Sequence, residues 1–109
     1  MRGIVICPNI ALRRQFEEAT AQYNLTLVKR LDSYPSPEAF GRLARAWAPD
    51  VVFLSLENHG DAAAFCRDME AEFPDLQRIG LHSTPDPATF KLALRLHVRD
   101  LLIAPFQQV

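Results

Sequence analysis

The hydrophobic residues of this chain follow two spacings, one typical of buried strands and the other of amphipathic helices. Residues 4–7 (IVIC) form a short continuous apolar run, as expected of a strand that is covered on both faces. Residues 51–54 (VVFL) are also apolar at every position, which predicts the central strand of a sheet. Further strands are predicted at 25–31, 77–82 and 101–103. The pattern at 77–82 is weaker because Gly80 interrupts it.

Four segments between these strands carry apolar residues at helical spacing. Ser36 and Asp86 each stand before a proline, which is typical of a helix N-cap followed by proline at the first helical position. Pro49 and Pro74 are expected to end the second and third helices. Because strands and helices alternate, we predict parallel βαβ units with right-handed crossovers. The residues expected on the apolar helix faces are Leu12, Phe16, Ala19, Tyr23, Phe40, Leu43, Ala44, Trp47, Ala62, Cys66, Met69, Phe73, Phe90, Ala93, Leu94 and His97.

Length and charge narrow the classes of function. A chain of 109 residues is expected to form one domain, and we assign residues 1–109 to it. The net charge of −1 offers no field that attracts nucleic acid or an acidic membrane, and no apolar run reaches the roughly 18 residues of a membrane span. The two cysteines lack metal-ligand spacing, so we expect free thiols in a cytoplasmic protein without metal or cofactor.

Three segments resemble the receiver domains of two-component response regulators. Residues 49–56 (PDVVFLSL) are similar to the third strand of that family, and residues 98–106 (VRDLLIAPF) are similar to its last strand. Residues 78–83 (RIGLHS) fit the fourth strand, which ends in Thr or Ser in the family. The resemblance implies a doubly wound, three-layer, flavodoxin-like α/β fold with a five-stranded parallel sheet in the order 2-1-3-4-5. The family's closing fifth helix is expected to be missing, because the chain ends three residues after Phe106.

The resemblance also implies a site where the strands end. In the family, acids after the first strand hold Mg²⁺, and an aspartate ending the third strand accepts a phosphoryl group. A lysine after the fifth strand and a hydroxyl after the fourth strand contact the phosphoryl oxygens. By alignment, the corresponding positions here are Cys7, Pro8, Ser55, Ala104 and Ser83.

Only Ser83 keeps the residue type of the family, and Leu101 replaces the aromatic switch residue. Mg²⁺ would lack hard oxygen ligands there, and a phosphoryl charge would lack its lysine. Glu57, two residues after Ser55, is the one acid expected near this pocket, and one acid does not rebuild a metal site. The resemblance therefore implies a degenerate pseudo-receiver that is not an enzyme.

Several alternatives remain open. Cys7 or Ser55 are candidate nucleophiles of a small enzyme, with His59 and His82 near the same end of the sheet as possible partners or zinc ligands. The vacated pocket is a candidate site for a small uncharged ligand, since its predicted residues are neutral. A flavodoxin-like flavin site is disfavoured, because the first loop lacks a phosphate-binding Ser, Thr and Gly pattern.

We expect a phosphorylation-independent signalling module that acts through protein partners or homo-oligomerisation. The candidate partner face comprises Arg95, Arg99 and Leu101, which belong to the fourth helix, the segment after it and the fifth strand. In similar proteins such a domain commonly forms the N-terminal part of a longer bacterial signalling protein, and we expect the same here.

Overall fold

The computed structural model describes residues 1–106 as one five-stranded parallel sheet with four helices. The strand order is β2-β1-β3-β4-β5, which confirms the predicted doubly wound topology. The elements in chain order are β1 (Arg2–Ile6), α1 (Ile10–Thr20), β2 (Thr26–Leu31), α2 (Pro37–Trp47), β3 (Val51–Ser55), α3 (His59–Glu72), β4 (Gln77–His82), α4 (Pro87–Arg95) and β5 (Asp100–Ile103). None of the helices in this part of the chain is long and apolar enough to cross a membrane.

The central strand is β3, as its unbroken apolar run predicts. All five of its residues are buried, and β1 and β4 pair with it in parallel on its two sides. Gly3 lies opposite Val51 in β1, and Gln77 lies opposite the same residue in β4. A strand enclosed in this way needs apolar side chains on both faces.

Each helix begins at a polar side chain that accepts a hydrogen bond from the first turn. The predicted caps are confirmed, because Ser36 Oγ accepts from the Ala39 amide at 3.2 Å and Asp86 Oδ1 from the Ala88 amide at 3.1 Å. Asn9 and Asn58 cap α1 and α3 in the same manner. The four caps place the start of every helix at the edge where the preceding strand ends.

Two apolar clusters cover the two faces of the sheet. On one face α2, α3 and α4 pack against alternate residues of the inner strands, with Phe40, Phe65 and Met69 among the buried side chains. On the other face α1 supplies Leu12 and Phe16. The half-buried residues beside α1 on that second face are Leu25, Leu27, Ile79, Leu102, Ala104 and Phe106.

Five residues predicted to face the core are instead exposed, and one of them, His97, lies beyond the end of α4. Tyr23 (49% exposed) lies beyond the end of α1, and Trp47 (38%) is the last residue of α2, where Lys29 Nζ approaches its ring at 5.5 Å. In α4 the buried residues are Thr89, Leu92 and Ala93. Phe90 (45%) and Leu94 (79%) therefore point away from the sheet. The prediction missed Thr89, because a polar residue does not mark an apolar face.

Gly80 allows β4 to approach its neighbours closely. A Cβ atom added at this residue would lie 2.7 Å from Leu56 Cδ1 and 3.1 Å from Leu101 Cδ1. Both leucine side chains pack in the cluster on this face of the sheet, and Leu56 is fully buried. The glycine that weakens the strand pattern in the sequence is thus required by packing.

We expect Gly80→Ala to lower the free energy of unfolding by about 1–3 kcal/mol, because the methyl group overpacks a filled space. Urea denaturation followed by circular dichroism measures the change. Gly60→Ala is the matched control, since Gly60 is exposed in the first turn of α3 and an added Cβ meets only Asn58 Oδ1 at 3.8 Å. Equal stability of the two variants would contradict the packing argument.

Candidate functional site

The carboxyl ends of the parallel strands form one edge of the sheet, where the predicted site residues lie. Cys7 follows β1, Ser55 ends β3, Ser83 follows β4, and Ala104 follows β5. Ligand sites in open α/β sheets occur at this edge, where neighbouring strands connect in opposite directions. Here that point lies between β1 and β3.

A cleft of about 610 Å³ opens beside this point. Pro8 and Ser55 line the cleft, whereas Cys7, Ser83 and Ala104 are not among its lining residues. Only two of the five site residues that the resemblance implies therefore line the cleft. Its lining residues are Pro8, Asn9, Asp32, Ser33, Tyr34, Ser55, Glu57, Asn58 and Asp61.

Ser55 is held on both its side chain and its carbonyl. It is 1% exposed, and its Oγ accepts a hydrogen bond from the Glu57 amide at 3.2 Å. Its carbonyl oxygen accepts a hydrogen bond from the Tyr34 hydroxyl. Burial raises the pKa of Tyr34 above its ordinary value, so the phenol stays protonated and continues to donate. Ser55 thus acts in the structure as a loop-ordering residue.

Glu57 connects the loops after β1 and β4. One carboxylate oxygen accepts from Asn9 Nδ2 at 3.1 Å, and the other accepts from Ser83 Oγ at 2.5 Å. Ser83 therefore carries the hydroxyl that the resemblance implies, and this hydroxyl donates to a carboxylate. The sequence places Glu57 near this edge by its distance from Ser55, but its two partners follow only from the fold.

The cleft is acidic, which corrects the expectation of a neutral cavity. Asp32, Glu57 and Asp61 line it, and Arg13 Nη1 pairs with Asp32 Oδ1 at 2.5 Å. The expectation failed because it considered only the positions that align with the family site. These carboxylates do not converge on one point. Within residues 1–106, the one group of three potential metal ligands is His59, His82 and Asp86.

Cys7 is a buried thiol rather than an exposed one. It is 0% exposed, and its Sγ donates to the Asn9 carbonyl at 3.3 Å. Burial is the main cause that raises the pKa of Cys7 to about 11. The histidines considered as its partners bond elsewhere, because His59 Nε2 lies 3.1 Å from Thr89 Oγ1 and His82 Nδ1 accepts from the Thr84 amide at 3.0 Å.

The residues predicted for the partner face lie around the end of α4. Arg95 is the last residue of α4 and borders a groove of about 240 Å³ together with Leu96 and His97. Arg99 is exposed, and its amide donates to the Arg78 carbonyl at 2.8 Å. Leu101 is half-buried in β5 against the α2–α4 side of the core. The exposed apolar side chains Phe90 and Leu94 lie on the same helix as Arg95.

Comparisons with known proteins identify the fold. No protein-family model matches the chain, and no curated protein matches it. Among solved structures, a CheY-like protein (TadZ) from Pseudomonas aeruginosa PAO1 is 16% identical with a TM-score of 0.81, covering 98% of this chain and 89% of that one.

Two signal receiver domains are also similar. The receiver domain of RcsB from Salmonella enterica serovar Typhimurium is 18% identical (TM-score 0.74, covering 98% of this chain and 79% of that one). The receiver domain of a modulated diguanylate cyclase from Desulfovibrio desulfuricans G20 is 17% identical (TM-score 0.72, covering 97% and 82%). At these identities the likeness shows that the chain has the receiver fold.

We expect both cysteines to resist alkylation by iodoacetamide at neutral pH, because burial raises the pKa of each to about 11 and the thiolate is the reactive form. In the unfolded chain the thiol has its ordinary pKa of 9.0. The part of the folding stability that depends on a protonated thiol is therefore fully present below about pH 9, and it is lost as the pH rises through about 11. Mass spectrometry of native and guanidinium-unfolded protein measures the difference. Rapid modification of Cys7 in the native protein would restore the enzyme hypothesis.

Proposed function

We propose that this domain is a pseudo-receiver that works as a protein-interaction module without phosphorylation. The observation that carries the proposal is the state of Ser55, the residue at the phospho-acceptor position. Its side chain is buried and hydrogen-bonded to the Glu57 amide. A serine in this position has no base to activate it, because the Glu57 carboxylate bonds instead to Asn9 and Ser83.

The rest of the edge supports the same proposal. Ala104 supplies only a methyl side chain where a lysine would balance phosphoryl charge, and its amide donates to the His82 carbonyl at 3.0 Å. The first strand is followed by Cys7 and Pro8, neither of which is a ligand for Mg²⁺. The acids of the cleft would repel a phosphoryl group unless a cation lay between them.

The interaction surface of this proposal is the exposed side of α4 with the adjoining end of β5. Phe90 and Leu94 offer apolar area there, and Arg95 and Arg99 border it with positive charge. Apolar residues at the centre with arginines beside them are a composition typical of protein interfaces. The partner in this proposal is a second copy of the domain or another protein, and the module acts in the cytoplasm without a cofactor.

A second candidate is a ligand sensor. Its specific support is the acidic cleft, in which Asp61 and Glu57 line a volume of about 610 Å³. Such a cleft fits a small cation better than the uncharged ligand that the sequence suggests. An enzyme that uses the Cys7 thiolate has less support, since burial raises the pKa of that thiol to about 11.

We expect no saturable amide shifts at Ser55, Ser83 or Ala104 when the domain is titrated with beryllofluoride in the presence of Mg²⁺. The physical reason is that no carboxylate nucleophile occupies the acceptor position and no lysine balances the charge. Heteronuclear NMR measures the shifts. A titration with Mg²⁺ alone distinguishes shifts caused by cation binding in the acidic cleft from shifts caused by beryllofluoride. The RcsB receiver domain, whose structure was solved with phosphomimetic BeF₃⁻, is the positive control. Saturable shifts that need both components would contradict the proposal.

We expect Leu94→Glu to weaken self-association or partner binding by about tenfold or more while leaving stability nearly unchanged, because Leu94 is 79% exposed. Sedimentation equilibrium over a concentration series measures self-association, and chemical cross-linking in cell extract measures partner binding. Ile10→Glu is the matched control, since Ile10 is 49% exposed on α1. An identical effect of both substitutions would show that α4 is not the interaction surface.

A further inference from the structure

Two histidines and an aspartate meet at the sheet edge, on the α3–α4 side of the molecule. One ring nitrogen of His59, one of His82 and one carboxylate oxygen of Asp86 all lie within 4.8 Å of one another. His59 is the first residue of α3, His82 ends β4, and Asp86 is the N-cap of α4. His82 and Asp86 are four residues apart in the chain, whereas His59 comes from the start of α3, so the group of three forms only in the folded chain.

We propose that His59, His82 and Asp86 form a binding site for a divalent transition-metal ion, and that Zn²⁺ fits it best. Imidazole nitrogens and a carboxylate oxygen are common protein ligands of Zn²⁺, whereas Mg²⁺ prefers oxygen ligands alone. Ligand atoms of a tetrahedral Zn²⁺ lie about 3.4 Å apart, as bonds of about 2.0–2.1 Å require. Modest side-chain rotations would bring the three ligand atoms to this spacing. A water molecule would then take the fourth coordination position.

The surroundings of the group resemble the outer shell of a metal site. Asp86 Oδ1 caps the Ala88 amide, and Asp86 Oδ2 accepts the proton of Thr89 Oγ1 at 3.2 Å. Because that hydroxyl has a single proton, its oxygen accepts from His59 Nε2 at 3.1 Å, which leaves the lone pair of His59 Nδ1 free. Metal-binding histidines usually donate their other N–H in this way. Thr89 is fully buried, so water does not compete for these two hydrogen bonds.

His82 provides a direct reporter of binding. Its Nδ1 accepts from the Thr84 amide at 3.0 Å, so the neutral ring carries its proton on Nε2. A metal on Nδ1 displaces the Thr84 amide, and a metal on Nε2 moves the ring proton to Nδ1. In both cases the Thr84 amide loses its acceptor. His82 is 8% exposed, so water replaces this bond poorly.

Charge around the group favours a cation despite the two helix N-termini. The start of a helix carries partial positive charge, which disfavours a metal ion. Asp86 contributes one negative charge as a ligand, and Asp61 lies in the first turn of α3. Glu57 adds another through its hydrogen bond with Ser83, the neighbour of His82. The bound ion would join the starts of α3 and α4 and so restrain α4.

The test uses the full chain without a purification tag and titrates it with Zn²⁺ by isothermal calorimetry. Asp86→Asn retains the N-cap, because an Asn side chain caps as well as Asp, but it removes the carboxylate ligand. His59→Gln removes a ligand at a partly exposed position. His97→Asn is the control, because His97 is exposed, lies outside the group and has a positive φ of 55° that Asn tolerates.

We expect one Zn²⁺ per chain, with affinity about tenfold or more weaker in D86N and H59Q and unchanged in H97N. Saturating Zn²⁺ should raise the Tm of the wild type and of H97N only. The Thr84 amide should shift in NMR spectra of the Zn²⁺ form, and Co²⁺ should bind without the intense absorption of a thiolate ligand. Binding that is equal in all four proteins, a thiolate band, or no saturation at millimolar Zn²⁺ would each overturn the proposal.

Discussion

The burial of β3 on both faces is the constraint on which the rest of the structure depends. Its five residues are all buried, so helices must cover the sheet on both sides. Because β1 and β4 pair with β3 in parallel, every crossover returns the chain to the same starting edge. The loops that follow the strands therefore gather at the opposite edge, whichever residues they contain. The position of the site is a consequence of the core, and its chemistry is free to vary.

Hydrogen bonds between neighbouring loops order this edge. The Glu57 carboxylate bridges Asn9 and Ser83, and the Tyr34 hydroxyl bonds to the Ser55 carbonyl. In the receiver family, as the resemblance implies, a metal ion and a phosphoryl group make such connections when they bind. Loops that are already joined by the chain's own side chains need no ligand to become ordered. This is the physical basis for proposing a domain whose binding surface is permanently formed.

The fold could be predicted from the sequence because strand burial and helix caps are local properties. The run at 51–54 and the caps Ser36 and Asp86 have the structure that their patterns predict. The burial of α4 was predicted less well. Phe90 and Leu94 satisfy a helical spacing, but the face of α4 that packs on the sheet carries Thr89, Leu92 and Ala93.

The candidate site was harder to predict for a related reason. Alignment with a family site identifies positions, and it found Ser55 and Pro8 at the cleft. It could not find Asp61 or the second carboxylate contact of Glu57, since these depend on how α3 leaves the sheet. Acidic residues that line the cleft from outside the aligned positions can be identified only from the folded structure.

One face of β4 is where this chain departs furthest from an apolar core. Arg78, Gly80 and His82 alternate along the strand and face the α3–α4 side. Arg78 is 6% exposed and pairs with Glu70 at 2.5 Å, and Gly80 allows Leu56 to pack against the strand. A buried arginine costs stability because its charge is removed from water, whereas Gly80 is explained by the packing of Leu56. Violations of local rules are expected to concentrate where a protein has work other than folding. His82 ends this same row, so the buried charge of Arg78 and one of the proposed metal ligands lie on the same face of β4.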